Sequence, residues 1–161
     1  MKIYHGSYTQ IQTPRIILSA RLLDFGSGFY TTTDSEQAIK FTSKFISLGK
    51  NRVVNTYEYD EVKAENEVKI KRFNIADKEW LYYIVANRSG SGKDNDFDIV
   101  IGPVANDRVY EVVENFELGD YSEDEAILRL LSYRLTDQIV FKTEKSLQYI
   151  TYLNHEKIEG E

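Results

Sequence analysis

Apolar and polar positions change period several times along the chain, and each change predicts an element. Lys2-Ile3-Tyr4-His5-Gly6 alternates as a short strand that breaks at Gly6 and the polar Ser7, so His5 falls at a strand end. Thr9 to Pro14 is a loop, because the residue before a proline disfavours helix. Beyond it an apolar Ile16-Ile17-Leu18 run leads through Arg21 to Asp24-Phe25-Gly26-Ser27-Gly28-Phe29-Tyr30. Gly26 and Gly28 permit positive φ or a close approach, and Phe29, Tyr30 and the threonines behind them favour a strand. Asp34 caps a helix expected to reach Leu48. Ala38, Ile39, Phe41, Phe45 and Ile46 recur in it at near-helical spacing, and Gly49 is its stop.

Val53 to Tyr59 alternates as the next strand. The charged stretch Glu61 to Arg72 reads as a solvated connector or short helix. Asp77 caps a helix to Arg88 that places Trp80, Leu81, Ile84 and Val85 on one face, with Trp80 in the core. Ser89 to Asp96 is a polar loop. It is no phosphate loop, for it lacks the full glycine-lysine spacing between a strand and a helix. Phe97 to Gly102 is a strand ended by Pro103, and Val104 to Phe116 is loop then helix. Ser122 opens a helix through Leu131, Asp137 to Phe141 is a strand, and Thr143 to Leu147 is a short helix. Ile150 to Leu153 is the last strand before a polar tail over 155–161. The alternation predicts one domain over 1–161 of α+β or α/β class. A glycine turn that leads into a strand, and not from strand to helix, argues against a dinucleotide-binding βαβ unit.

Composition narrows the chemistry. The 161 residues include no cysteine, which excludes disulfides, thiolate zinc sites and cysteine nucleophiles. Two histidines make a histidine zinc site a poor fit, with His155 expected to be solvated in the tail. Gly26-Ser27-Gly28 lacks the frame of a serine hydrolase elbow. The start lacks the apolar stretch of a signal peptide and no run is long enough to span a membrane, so a soluble cytoplasmic protein is expected. A net charge of -6 disfavours tight, sequence-independent nucleic-acid binding but leaves room for a local basic groove.

Three separated features then converge: His5-Gly6 at a strand end, Gly28-Phe29-Tyr30 entering a strand, and the polar Gln138 on an apolar strand. Together they resemble the ADP-ribosyltransferase superfamily, in the branch with His, Tyr and then Glu, Asp or Gln on three core strands. The wording of Tyr4 to Ser7, Asp24 to Tyr30, Gly102 to Asp107 and Gln138 to Phe141 resembles a family of small bacterial proteins catalogued as a domain of unknown function. The likeness covers nearly the whole chain.

The resemblance implies a split mixed β-sheet core with flanking helices and NAD as co-substrate. His5 would bond the adenosine ribose, Gly6 would grip the nicotinamide amide through its backbone, and Tyr30 would stack on nicotinamide. Phe41 would stand against the other ring face, or be simply core. Arg21 would meet a phosphate, or face solvent. Gln138 would accept a hydrogen bond from the nicotinamide ribose where better-understood relatives use glutamate; its plain alternative is a strand-edge amide facing water. The implied activity is mono-ADP-ribosyl transfer to an unknown acceptor (protein, nucleic acid or small molecule), as the toxin of a pair with a small antitoxin protein. A non-catalytic module binding NAD, ADP-ribose or a partner protein stays open, because glutamine lacks the charge that steadies an oxocarbenium-like transition state. Cleaving nicotinamide from its ribose needs no metal or thiol. A histidine donor, an aromatic face and a polar side chain on adjacent strands would suffice. Asn87-Arg88, Asp98 and Asn106-Asp107 are polar groups whose loops could shape the acceptor site, although cap, strand-end and turn roles suit them better.

Overall fold

A computed structural model describes every residue except 17, 19–23, 91–95, 105–106, 134 and 161. Arg21 and Asn106 therefore lie outside the described residues. The protein is α+β: a mixed seven-stranded sheet and five α-helices. In chain order these are β1 (Lys2–Ser7), β2 (Phe29–Thr32), α1 (Ser35–Thr42), β3 (Val53–Tyr59), α2 (Glu61–Glu67), β4 (Ile70–Arg72), α3 (Lys78–Arg88), β5 (Ile99–Pro103), α4 (Asp107–Glu117), α5 (Glu123–Leu131), β6 (Asp137–Phe141) and β7 (Ile150–Lys157).

The strands lie in the order β4-β5-β6-β2-β1-β3-β7. Only β4 and β5 run parallel; the other neighbours are antiparallel. One junction is much weaker than the rest. β1 pairs with β3 over six residue pairs and β2 with β6 over four, but β1 meets β2 only at Tyr4 and Thr32. The sheet is thus two ribbons hinged at a single pair, and they part on the side of His5 and Gly6.

The two-residue period of the strands sorts the core into two layers. Val100 and Val140 point into a layer with Trp80, Leu81, Ile84, Val113 and Leu130, under α3, α4 and α5. Their neighbours Ile99, Ile101, Ile139 and Phe141 point the other way, to Ile3, Phe29, Tyr57 and Tyr59. Asp34, Asp77 and Ser122 each accept a backbone N–H at the helix start predicted for them.

Five expectations change. The first helix ends at Thr42, followed by a 3₁₀ turn over Ser43–Phe45 and a reversal at Gly49 (φ 65°). It buries Ala38 and Thr42 and leaves Phe41 half exposed, so Phe41 is not core. Its contact with β1 is so close that a Cβ on Gly6 would lie 2.6 Å from the Ala38 carbonyl, and only small side chains fit between. The charged connector contains α2 and also the edge strand β4. The polar tail begins later than expected, because β7 continues through Lys157 and pairs His155 with Asn55. An edge strand with one face in water reads as polar. Gln138 is on no edge: β6 lies between β5 and β2, and the side chain is buried.

Candidate functional site

The turn before β2 is built around two polar side chains. Gly26 takes φ 78°, and Gly28 passes so close to β6 that a Cβ there would lie 2.6 Å from Val140 Cγ1. The Tyr30 hydroxyl donates to the Gly26 carbonyl at 2.5 Å and accepts the Phe25 N–H at 3.2 Å. The buried Lys142 ammonium donates to the carbonyls of Phe25 and Ser27. Phe25 and Phe29 go into the core, and Tyr30 alone of the turn's aromatics faces a cleft.

That cleft, about 430 Å³ including its open mouth, lies where the two ribbons part. His5, Gly6, Tyr30, Phe41 and Gln138 all line it, so the structure brings together every described residue nominated for NAD, while Asn87, Arg88 and Asp98 are not in the lining. Tyr4, Thr32, Gln37 and Val104 also contribute. Gln37 was legible in retrospect, being one turn before Phe41 on α1. Lys142 carried no signal beyond following an apolar strand.

The adjacent strands hold the nominated residues in different ways. By register Gly6, Tyr30, Thr32 and Gln138 fall on one face of their strands. His5 alternates to the other, where its ring stacks on Phe29 with centroids 4.3 Å apart. Its Nδ1–H donates to the Tyr30 carbonyl at 2.6 Å. Burial lowers its pKa to about 4; the bond to Tyr30 pulls it up and the nearby Lys44 charge pushes it further down. The imidazole is therefore neutral at pH 7. With Nδ1–H committed, Nε2 can only accept a hydrogen bond, which corrects the expectation of a histidine donor.

Gln138 Nε2 makes one long bond, 3.5 Å, to the Pro103 carbonyl, and Trp80 Nε1–H donates to the same oxygen at 3.2 Å. The amide is oriented with its nitrogen toward β5. Phe41 carries the Lys44 ammonium 3.6 Å from its ring centre. Among the described residues the lining includes no carboxylate, ammonium or guanidinium; its polarity is all hydroxyl, amide and neutral imidazole. No cluster of described residues could hold a metal ion.

Behind the turn is a second buried polar group. The Asp24 carboxyl accepts from the Tyr110 hydroxyl at 3.3 Å, near Arg88, and burial raises its pKa to about 6 against the pull of both partners.

Fold and cleft together define an α+β protein with a cleft at a sheet opening whose described lining is uncharged. Residues 1–152 match the family described as "Protein of unknown function (DUF3990)", and the chain belongs to that family. No curated protein and no solved structure matches it. No helix among the described residues is long and apolar enough to cross a membrane.

Proposed function

We propose that the protein is an NAD-dependent mono-ADP-ribosyltransferase of the ADP-ribosyltransferase type, acting as the toxin partner of a small antitoxin protein. The observation that carries the reading is the meeting of His5, Tyr30 and Gln138, from β1, β2 and β6, in one cleft with Gly6 and Phe41. The parted sheet supports it as well.

The lining suits the nicotinamide end of NAD. A cationic ring is favoured by the face of Tyr30 and is not repelled by a neutral His5, and Phe41 would join once the Lys44 ammonium 3.6 Å from its centre moves aside. The Tyr30 ring is preorganised, because its hydroxyl is tied to the turn. His5 Nε2 would accept from a ribose hydroxyl, and the Gln138 carbonyl oxygen would accept from the ribose next to the bond that breaks. In the reaction the C1′–N bond breaks, its electron pair leaves with neutral nicotinamide, and a nucleophile on the acceptor bonds to C1′.

A second reading has its own observation. Among the described residues the lining offers no carboxylate and so no negative field to the developing cation, which suits a module that binds NAD or ADP-ribose without turnover. Nicotinamide release from NAD, with His5→Ala and Tyr30→Ala as controls, separates the two. Release abolished by both substitutions establishes the enzyme. Saturable NAD binding without release, lost in the same variants, leaves the binding module.

A further inference from the structure

The ring that forms one wall of the cleft begins an aromatic row leading out of it. Phe41 meets Phe45 edge to face at 6.4 Å, and Phe45 meets Tyr8 at 5.5 Å. Tyr8 and Phe41 are 47% and 49% exposed. Ammonium groups alternate with the rings: Lys44 Nζ is 3.6 Å from the centre of Phe41 and 5.2 Å from that of Phe45, and Lys50 Nζ is 4.2 Å from that of Tyr8.

Charge along the chain is segregated to match. Residues 1–52, which supply the row, include seven Lys and Arg against three Asp and Glu. Residues 53–161 include 13 against 23. The net charge of -6 therefore conceals a basic part that contains β1, β2 and α1 and an acidic remainder.

We propose that this surface binds single-stranded nucleic acid and presents it to the cleft as the acceptor; the acceptor role, unlike the binding, rests on the function proposed above. Exposed rings interleaved with ammonium groups match a polymer in which planar bases alternate with phosphates. A base takes a ring face as the ammonium moves from the ring to a phosphate. A duplex keeps its base faces stacked and out of reach. An acidic peptide would satisfy the lysines but offers no planar partner to the rings. Because the row starts at Phe41, a strand lying on it has one end at the cleft. There a base nitrogen or sugar hydroxyl would form the new bond to C1′ as nicotinamide departs, losing its proton to solvent.

The test titrates the whole protein into labelled ten-nucleotide single strands of DNA and RNA at several salt concentrations. The proteins compared are the unaltered chain, Tyr8→Ala, Phe45→Ala and the pair Lys44→Ala with Lys50→Ala. Trp80 fluorescence confirms that each is folded, and Tyr8→Ala, at an exposed position, keeps the test decisive if Phe45→Ala does not fold. Each ring substitution is expected to weaken binding about tenfold with little change in salt dependence. The lysine pair is expected to lower the slope of log affinity against log salt by about 1–2. Absent binding, equal binding of duplex, or equal displacement by polyglutamate would overturn the surface assignment. NAD turnover without nucleic acid that falls in Tyr8→Ala would also overturn it, by giving the rings to NAD. Binding with these dependences but no transfer of label from NAD to the strand, while NAD is still cleaved, overturns only the acceptor role. Binding with no NAD cleavage at all counts instead against the transferase.

Discussion

The His5 imidazole donates to the Tyr30 carbonyl at 2.6 Å, across the opening between β1 and β2. Only the Tyr4 and Thr32 pair joins these strands in register, so this bond is a second tie between the ribbons and sets the width of the cleft. Its donor must be Nδ1–H, and the ring must remain neutral to keep Nε2 as an acceptor.

That requirement appears in the pH dependence of stability. The His5 pKa falls from 6.5 to about 4 on folding, so between these values the unfolded chain binds the extra proton. Stability is then lost as pH drops through this window, by about 3 kcal/mol in all. His5→Gln keeps a polar side chain without the titration. Urea midpoints of His5→Gln between pH 6.5 and 4 should fall less steeply than those of the unaltered protein.

Asp24 acts in the opposite direction over an overlapping range. Its pKa rises from 3.8 to about 6, so the folded state holds the proton longer and stability falls as pH rises from about 4 to 6. Asp24→Asn mimics the protonated acid and can still accept from Tyr110. It should be more stable than the unaltered protein at pH 7.5, and the difference should vanish near pH 4. An advantage that persists unchanged at pH 4 would mean that Asp24 does not titrate in this way.

Gly6→Ala places a methyl 2.6 Å from the Ala38 carbonyl and 3.0 Å from Thr42 Cγ2. Because the first contact is backbone, α1 must move away from β1. A loss of about 1–3 kcal/mol is expected in chemical denaturation. Under the proposed function NAD binding should weaken too, since Ala38 and Phe41 move with the helix.

Lys142→Met removes the ammonium shared by the Phe25 and Ser27 carbonyls. With the charge-assisted hydrogen bonds to both carbonyls lost beside the core, a loss of about 2–4 kcal/mol is expected. The turn that fixes the Tyr30 hydroxyl loosens as well. Amide hydrogen exchange over Phe25 to Tyr30 should accelerate in this variant, while that of β3 should not.

Gln138→Glu adds a carboxylate to a lining that has none among the described residues. Under the transferase reading, nicotinamide release should rise at least about tenfold, because a fixed charge beside a developing cation is among the larger catalytic contributions. A folded Gln138→Glu protein with unchanged release would place the reacting ribose elsewhere.

Local chemistry made most of the elements legible. Asp34, Asp77 and Ser122 announced their helices because a cap is a contact among neighbours in the chain. Gly26 announced its turn because positive φ is a property of one residue. The unbroken apolar runs in Phe97 to Gly102 and Asp137 to Phe141 marked the central strands because both faces of each are buried. The resemblance carried by His5, Tyr30 and Gln138 named residues that share a cleft.

What the sequence could not state were relations between distant segments. Phe41 belongs to an apolar stripe by spacing, yet its ring lies beside Gly6 at the cleft and stays half exposed. β7 looked like a tail beyond Leu153 because an edge strand meets one neighbour and water. The neutrality of His5, the clamp of Lys142 on a turn more than a hundred residues away, and the row from Phe41 to Tyr8 arise only when the strands are assembled. Burial, pKa and long-range hydrogen bonds depend on which surfaces meet, and the order β6-β2-β1-β3 is what makes these meet.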